Sequence, residues 1–113
     1  MDSLAAAQDA CMLYVTVGSV EEARKIATAL VTEQLAACAN ILGPATSIYT
    51  WKGMMEEAQE IVMICKTQRS LREDAAARIK QLHSYDVPCI TVYGMDAAFP
   101  PFLDWIRDET KAP

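Results

Sequence analysis

At 113 residues with 52% hydrophobic side chains, the chain has the length and apolar content of one packed domain, which excludes a two-domain arrangement. Its formal net charge of -5 repels phosphate backbones and anionic lipid, so nucleic acid and membrane surfaces are excluded as partners and a cationic ligand fits better. The same acidic excess is also an ordinary means of keeping a protein dissolved.

Residues 1–10 read as a loose N-terminus and 11–113 as a single domain. Cys11 to Val17 is short, apolar and β-branched, a buried strand that ends at Gly18. Ser19 with Glu22 forms a capping box, and Ala23, Ile26, Ala27, Leu30 and Val31 recur at helical spacing, which predicts a helix to about Leu35. Ala37 to Trp51 is extended on either side of Gly43-Pro44, so this pair marks a bulge or bend in one long strand. Lys52-Gly53 is a turn, and Glu56 to Thr67 returns as the second arm of a hairpin. Ser70 and Glu73 repeat the capping signature before a helix whose apolar face is Leu71, Ala75, Ile79 and Leu82. Val87 to Tyr93 is a last strand behind Pro88, and a short helix follows Pro101 with Phe102, Trp105 and Ile106 on one side.

The order is βαββαβ plus a C-terminal helix, the split βαβ arrangement of an α+β, ferredoxin-like sandwich with helices on one sheet face. A chain this short has nothing left to cover the other face, so assembly with further copies is expected. Nor is any apolar run long enough to cross a bilayer. Cys11, Cys38, Cys65 and Cys89 show no CxxC and no zinc-finger spacing, and residues 1–10 lack a basic segment before an apolar one. Free thiols and a cytoplasmic location are the expectation.

Local motifs narrow the fold to a family. Leu35-Ala36-Ala37-Cys38-Ala39-Asn40-Ile41 resembles the LAACxN signature of the CutA family, the divalent-cation-tolerance proteins, and Ser47 to Gly53 resembles its SxYxWxG turn. Glu60, Met63, Lys66 and Thr67 sit as in its ExxMxxKT strand, His83 to Ile90 resembles HPYxVPEI, and Phe102 to Ile106 resembles YLxWI. The match runs in order from about Leu13 to Thr110. It implies a tight homotrimer with long strands paired between subunits and a groove at each subunit boundary, an architecture shared with PII-type signalling proteins. It also implies binding of copper or other divalent cations rather than catalysis, with no cofactor required for folding. Where the family usually has proline and glutamate, this chain has Ser84 and Cys89. A thiol at that place favours softer metals such as copper(I).

Candidate ligands each carry two readings. His83, the only histidine, is either a metal ligand or a helix C-cap. Cys38 is either a copper ligand, as the resemblance implies, or a small buried hydrophobe, and Cys89 shares that choice. Tyr49, Trp51, Lys66, Tyr85 and Trp105 form a candidate pocket, aromatic walls with one cation, against a reading as core or trimer contacts. Lys66, following an apolar run, should meet a ligand anion or a facing carboxylate such as Glu60. Glu56, Glu57 and Glu60 read most simply as a solvated strand edge.

Three functions follow: a trimeric metal-binding protein, a PII-like scaffold or signalling trimer that binds a small anion, and an enzyme. Catalysis is disfavoured. The loop Gly18-Ser19-Val20 lacks the arginine an acylphosphatase-like reaction needs, and His83 is the only base available to a cysteine nucleophile.

Overall fold

A computed structural model describes residues 3–112. Its main sheet has four strands in the order β3 (Cys38–Trp51), β4 (Met54–Gln68), β2 (Ala10–Val17), β5 (Ile90–Gly94), each antiparallel to its neighbours. Strict alternation makes β2 two-faced. Cys11, Leu13, Val15 and Val17 are fully buried, whereas Met12, Tyr14 and Thr16 are only partly so.

The buried face is covered by α1 (Val20–Thr32) and α2 (Arg72–Leu82). Ser19 caps α1 as expected, its Oγ accepting the Glu22 N–H at 3.1 Å, and Ala23, Ile26, Ala27 and Leu30 form the inward stripe. The helix stops before Leu35 because Gln34 takes φ 60°, and the Leu35 and Ala36 N–H groups turn back onto the Leu30 carbonyl. The second capping box does not form. A 3-10 turn over Arg69–Leu71 absorbs Ser70, and no side chain caps α2. Leu71, Ala75 and Ile79 are buried as the spacing predicted. Each fully buried Leu or Ile, such as Leu13, Ile26, Leu30 and Ile79, contributes about 1.5–3 kcal/mol of apolar burial.

The long hairpin is where sequence and fold meet most directly. Lys52 and Gly53 have φ values of 50° and 80°, the pair of positive angles that a two-residue hairpin turn needs to match strand twist. The expected bulge lies between Leu42, paired with Val62, and Ala45, paired with Glu60. Two residues, Gly43 and Pro44, therefore oppose Ile61 alone. Consequently Cys38, Asn40 and Leu42 share a face with Ser47, Tyr49 and Trp51, although their numbers differ in parity.

The face away from α1 and α2 is covered at one end only. There α3 (Pro100–Glu109) packs Ile106 against Ala10 and Ala37, with Phe102 and Leu103 beside them. The N-terminal segment read as loose is tied down: β1 (Ala5–Ala6) pairs with β6 (Ala97–Ala98), and Ala7 and Ala10 are buried. Alanines lie close enough to pair and bury without a larger core, which periodicity does not signal. Met1 and Asp2 lie outside the described residues. The rest of this face and the hairpin tip leave Leu42, Ile48, Trp51, Met54, Met55 and Tyr93 exposed.

Candidate ligand-binding cleft

The uncovered end of the sheet meets the loop that follows α2, and between them opens a cleft of about 400 Å³. Thr16 comes from β2, Tyr49 and Trp51 from the far half of β3, Glu60 from β4, and Tyr85, Asp86, Val87 and Cys89 from the loop. The bulge in β3 is what turns Tyr49 and Trp51 to the same side as Glu60.

His83 fixes the loop. It ends α2, its own N–H bonding the Ile79 carbonyl, but its ring serves other elements. The Nε2–H donates to the Thr16 carbonyl oxygen at 2.8 Å, and Nδ1 accepts the Tyr85 N–H at 3.0 Å. Those two partners define the neutral tautomer and use both ring nitrogens. The ring also tilts against that of Tyr85, centroids 4.7 Å apart. Glu22 holds the next residue, accepting the Ser84 N–H and Oγ–H, each at 2.9 Å, and lies 3.5 Å from His83 Nδ1. Its carboxylate thus serves the loop rather than closing the reciprocal half of the box at Ser19.

Tyr85, so placed, donates its hydroxyl to Glu60 Oε2 at 3.1 Å. Glu60 is only 9% exposed, which corrects its reading as part of a solvated edge; Glu56 and Glu57 are the exposed ones. Burial, the bond to Glu60 and the negative charges of Glu60 and Glu22 push the Tyr85 phenol up to about 12, so it remains a donor.

The expected pocket residues divide into two groups. Tyr49, Trp51 and Tyr85 line the cleft together with Cys89, while Lys66 and Trp105 stand at the other end of the sheet. Lys66 and Glu60 share a face of β4 but are six residues apart, about 20 Å along a strand. Instead of a carboxylate, Lys66 meets Asn40, donating to Oδ1 at 2.6 Å, and the Phe102 ring at 5.9 Å, against which Trp105 stacks. An amide oxygen and a ring face are the partners shown for the ammonium among the described residues.

The thiol and imidazole candidates do not converge within one chain. Cys38 pairs across from Lys66, three strands and four residues from the position of Cys89, roughly 20 Å away. Burial raises the Cys38 thiol and the Lys66 charge partly offsets it. Cys89 is exposed in the cleft, its Sγ 3.8 Å from Thr91 Oγ1. His83 has no free nitrogen, and among the described residues no three His, Cys, Asp or Glu side chains gather as a metal cluster.

The profile of the CutA1 divalent ion tolerance protein family matches residues 11–109. The chain belongs to the CutA1 family. It is 42% identical over 98 residues to the divalent-cation tolerance protein CutA of Archaeoglobus fulgidus, covering 87% of this chain and 94% of that one. The solved structure of the periplasmic divalent cation tolerance protein CutA from the same organism superposes with a TM-score of 0.88 at 37% identity, over 90% of this chain and 99% of the other. CutA1 from Oryza sativa superposes with a TM-score of 0.91 at 30% identity, over 95% and 98%. Both likenesses extend to the mixed α and β architecture with three helices described above. CutA1 members are characterised by cation tolerance, and no helix among the described residues is long and apolar enough to cross a membrane.

Two features of the cleft escape sequence reasoning. Glu60 looked solvated because Glu56 and Glu57 precede it; its alternation with Val62 and Ile64 was the available signal. Thr16 enters as the last β2 residue on the open sheet face, one before Val17, and nothing local marks it.

Proposed function

We propose that this CutA1 chain is a non-catalytic, homotrimeric cation-binding protein, a ferredoxin-like unit whose Glu60 cleft takes copper or another divalent cation at the boundary between copies. The observation that carries this is the donor set. Glu60 and Asp86 supply carboxylates, Cys89 supplies a thiol, and no basic side chain lines the cleft. That mix of oxygen and sulfur suits a borderline or soft ion, with copper(I) drawn to the thiol. A single chain offers too few converging donors to close a coordination shell, and the exposed Ile48, Met54 and Met55 near the hairpin tip suit burial against a second copy that completes it. His83 supports the loop, and Cys38 lies apart from it. Four free thiols suit a reducing cytoplasm.

Native mass spectrometry of the reduced protein, alone and with copper(I), copper(II) or zinc, tests this directly. A trimer that holds copper stoichiometrically, and releases it in Glu60→Gln or Cys89→Ser, is the expected result. A trimer that takes up none of the three ions refutes it. The PII-like alternative, a small anion in the inter-subunit pocket, would draw its cation from another copy, since within one chain Lys66 stands about 20 Å from Glu60.

A further inference from the structure

The cleft has features that a bare metal ion does not use. Three aromatic side chains, Tyr49, Trp51 and Tyr85, and the apolar Val87 make up half of its lining, and none of these is a favoured ligand for a divalent ion. A volume of about 400 Å³ is that of a small-molecule site. At its floor lies Glu60, nine-tenths buried, with one carboxylate oxygen bonded to Tyr85. Among the described residues no group donates to the other oxygen, and no cation pairs with the side chain. No buried side-chain oxygen among the described residues lacks a partner, so this second oxygen is open to the cleft, where a positively charged guest can pair with it.

The aromatic rings select among such guests. Ring faces attract a cation through their quadrupole and attract alkyl groups by ordinary apolar contact, so a ring-walled acidic pocket favours a cation that carries its own apolar body. A hydrated metal ion gains neither of those contacts. Asp86 at the mouth adds a second negative charge, and Tyr85, held protonated, contributes a donor and no charge.

We infer that the Glu60 cleft is a site for a small organic cation, an alkylammonium whose charge faces Glu60 and whose carbon groups lie against Tyr49, Trp51 and Tyr85. This rests on the reading of the cleft as a cation site and names the class of cation that its walls fit.

The test uses tetramethylammonium and tert-butanol, which are similar in size and differ in charge. With Trp105→Phe, Trp51 is the sole tryptophan, and its fluorescence in the full-length protein reports occupancy. Tetramethylammonium should bind at least about tenfold more tightly than tert-butanol, and Glu60→Gln should abolish that preference. Should Glu60→Gln fail to fold by circular dichroism, Trp51→Leu followed by ligand-observed NMR serves instead, with tetramethylammonium binding expected to weaken by a similar factor. Equal binding of the two probes overturns the inference. So does copper uptake in native mass spectrometry with no tetramethylammonium binding, an outcome that leaves the divalent-cation reading standing. Binding of neither ion overturns both.

Discussion

Removing the Tyr85 hydroxyl is the sharpest probe of the cleft, because that single atom ties the loop to the buried carboxylate. In Tyr85→Phe the Glu60 Oε2 loses its donor at 3.1 Å while its burial stays. A hydrogen bond to a charged group contributes about 1.5–3 kcal/mol. The lower end applies here, since the carboxylate borders an open cleft and water can replace part of the loss. At about 2.1 cal/mol/K per residue, a chain of 113 residues loses about 6 °C of Tm for about 1.5 kcal/mol. Thermal melts of both proteins at one fixed concentration measure this, since assembly makes Tm concentration-dependent. The phenol adds an independent readout. Its folded value near 12 lies above its ordinary 10, so the folded state holds the proton more tightly. Its stabilisation is complete below pH 10 and is lost as pH rises through about 12. That alkaline slope should be missing in Tyr85→Phe. A Tm within about a degree of the parent, with the slope retained, would show that the hydroxyl does not bond Glu60.

His83→Phe leaves the Thr16 carbonyl and the Tyr85 N–H without their ring partners and should cost about 3 kcal/mol, read as a lower urea midpoint at unchanged m; an unchanged midpoint would remove His83 from its supporting role. Lys66→Ala should cost about 1 kcal/mol, the value of its bond to Asn40 and its ring contact, and leave tetramethylammonium binding at the cleft as it was. A binding defect there would contradict the separation of Lys66 from Glu60. Timed alkylation read by mass spectrometry should modify exposed Cys89 first and Cys38 more slowly, with buried Cys11 and Cys65 reacting only on unfolding, the Cys65 thiol being pushed up to about 12 by burial and by Cys38. Early labelling of Cys65 would show that its strand opens readily.

Regular elements were legible because each repeats one physical signal. The alternation of Cys11 to Val17 and the stripe of Ala23, Ile26, Ala27 and Leu30 place β2 and α1, and Gly43-Pro44 marks the bulge from its backbone chemistry. The cap at Ser70 failed although the Ser19 half of the first box held. The motif states only that a cap is possible, and the chain entering from β4 through a 3-10 turn left Ser70 inside the turn. The cleft was half legible. The sequence groups Tyr49, Trp51 and Tyr85 with Lys66 and Trp105 and sets Cys89 apart as a metal ligand, because family motifs and residue type carry no distance. Only strand register reveals that Lys66 stands with Phe102 and Trp105. The burial of Glu60 is set by a loop 25 residues further along the chain, so no window around the strand contains it.

The two-against-one pairing at Gly43 and Pro44 also shows how the hairpin stores one surplus residue. Were one of the two deleted with the Lys52-Gly53 turn kept, the residue left would oppose Ile61 by itself, Ala45 would still face Glu60, and Tyr49 and Trp51 would hold the cleft side on a strand without a bulge. Were both kept and paired one to one, Ile48 and Thr50 would come to the Glu60 side and Tyr49 and Trp51 would go to the opposite one. The surplus residue has to be absorbed before Tyr49 for the cleft to have its aromatic wall, and a chain that absorbed it at the hairpin tip instead would keep all the cleft's amino acids but present the wrong ones.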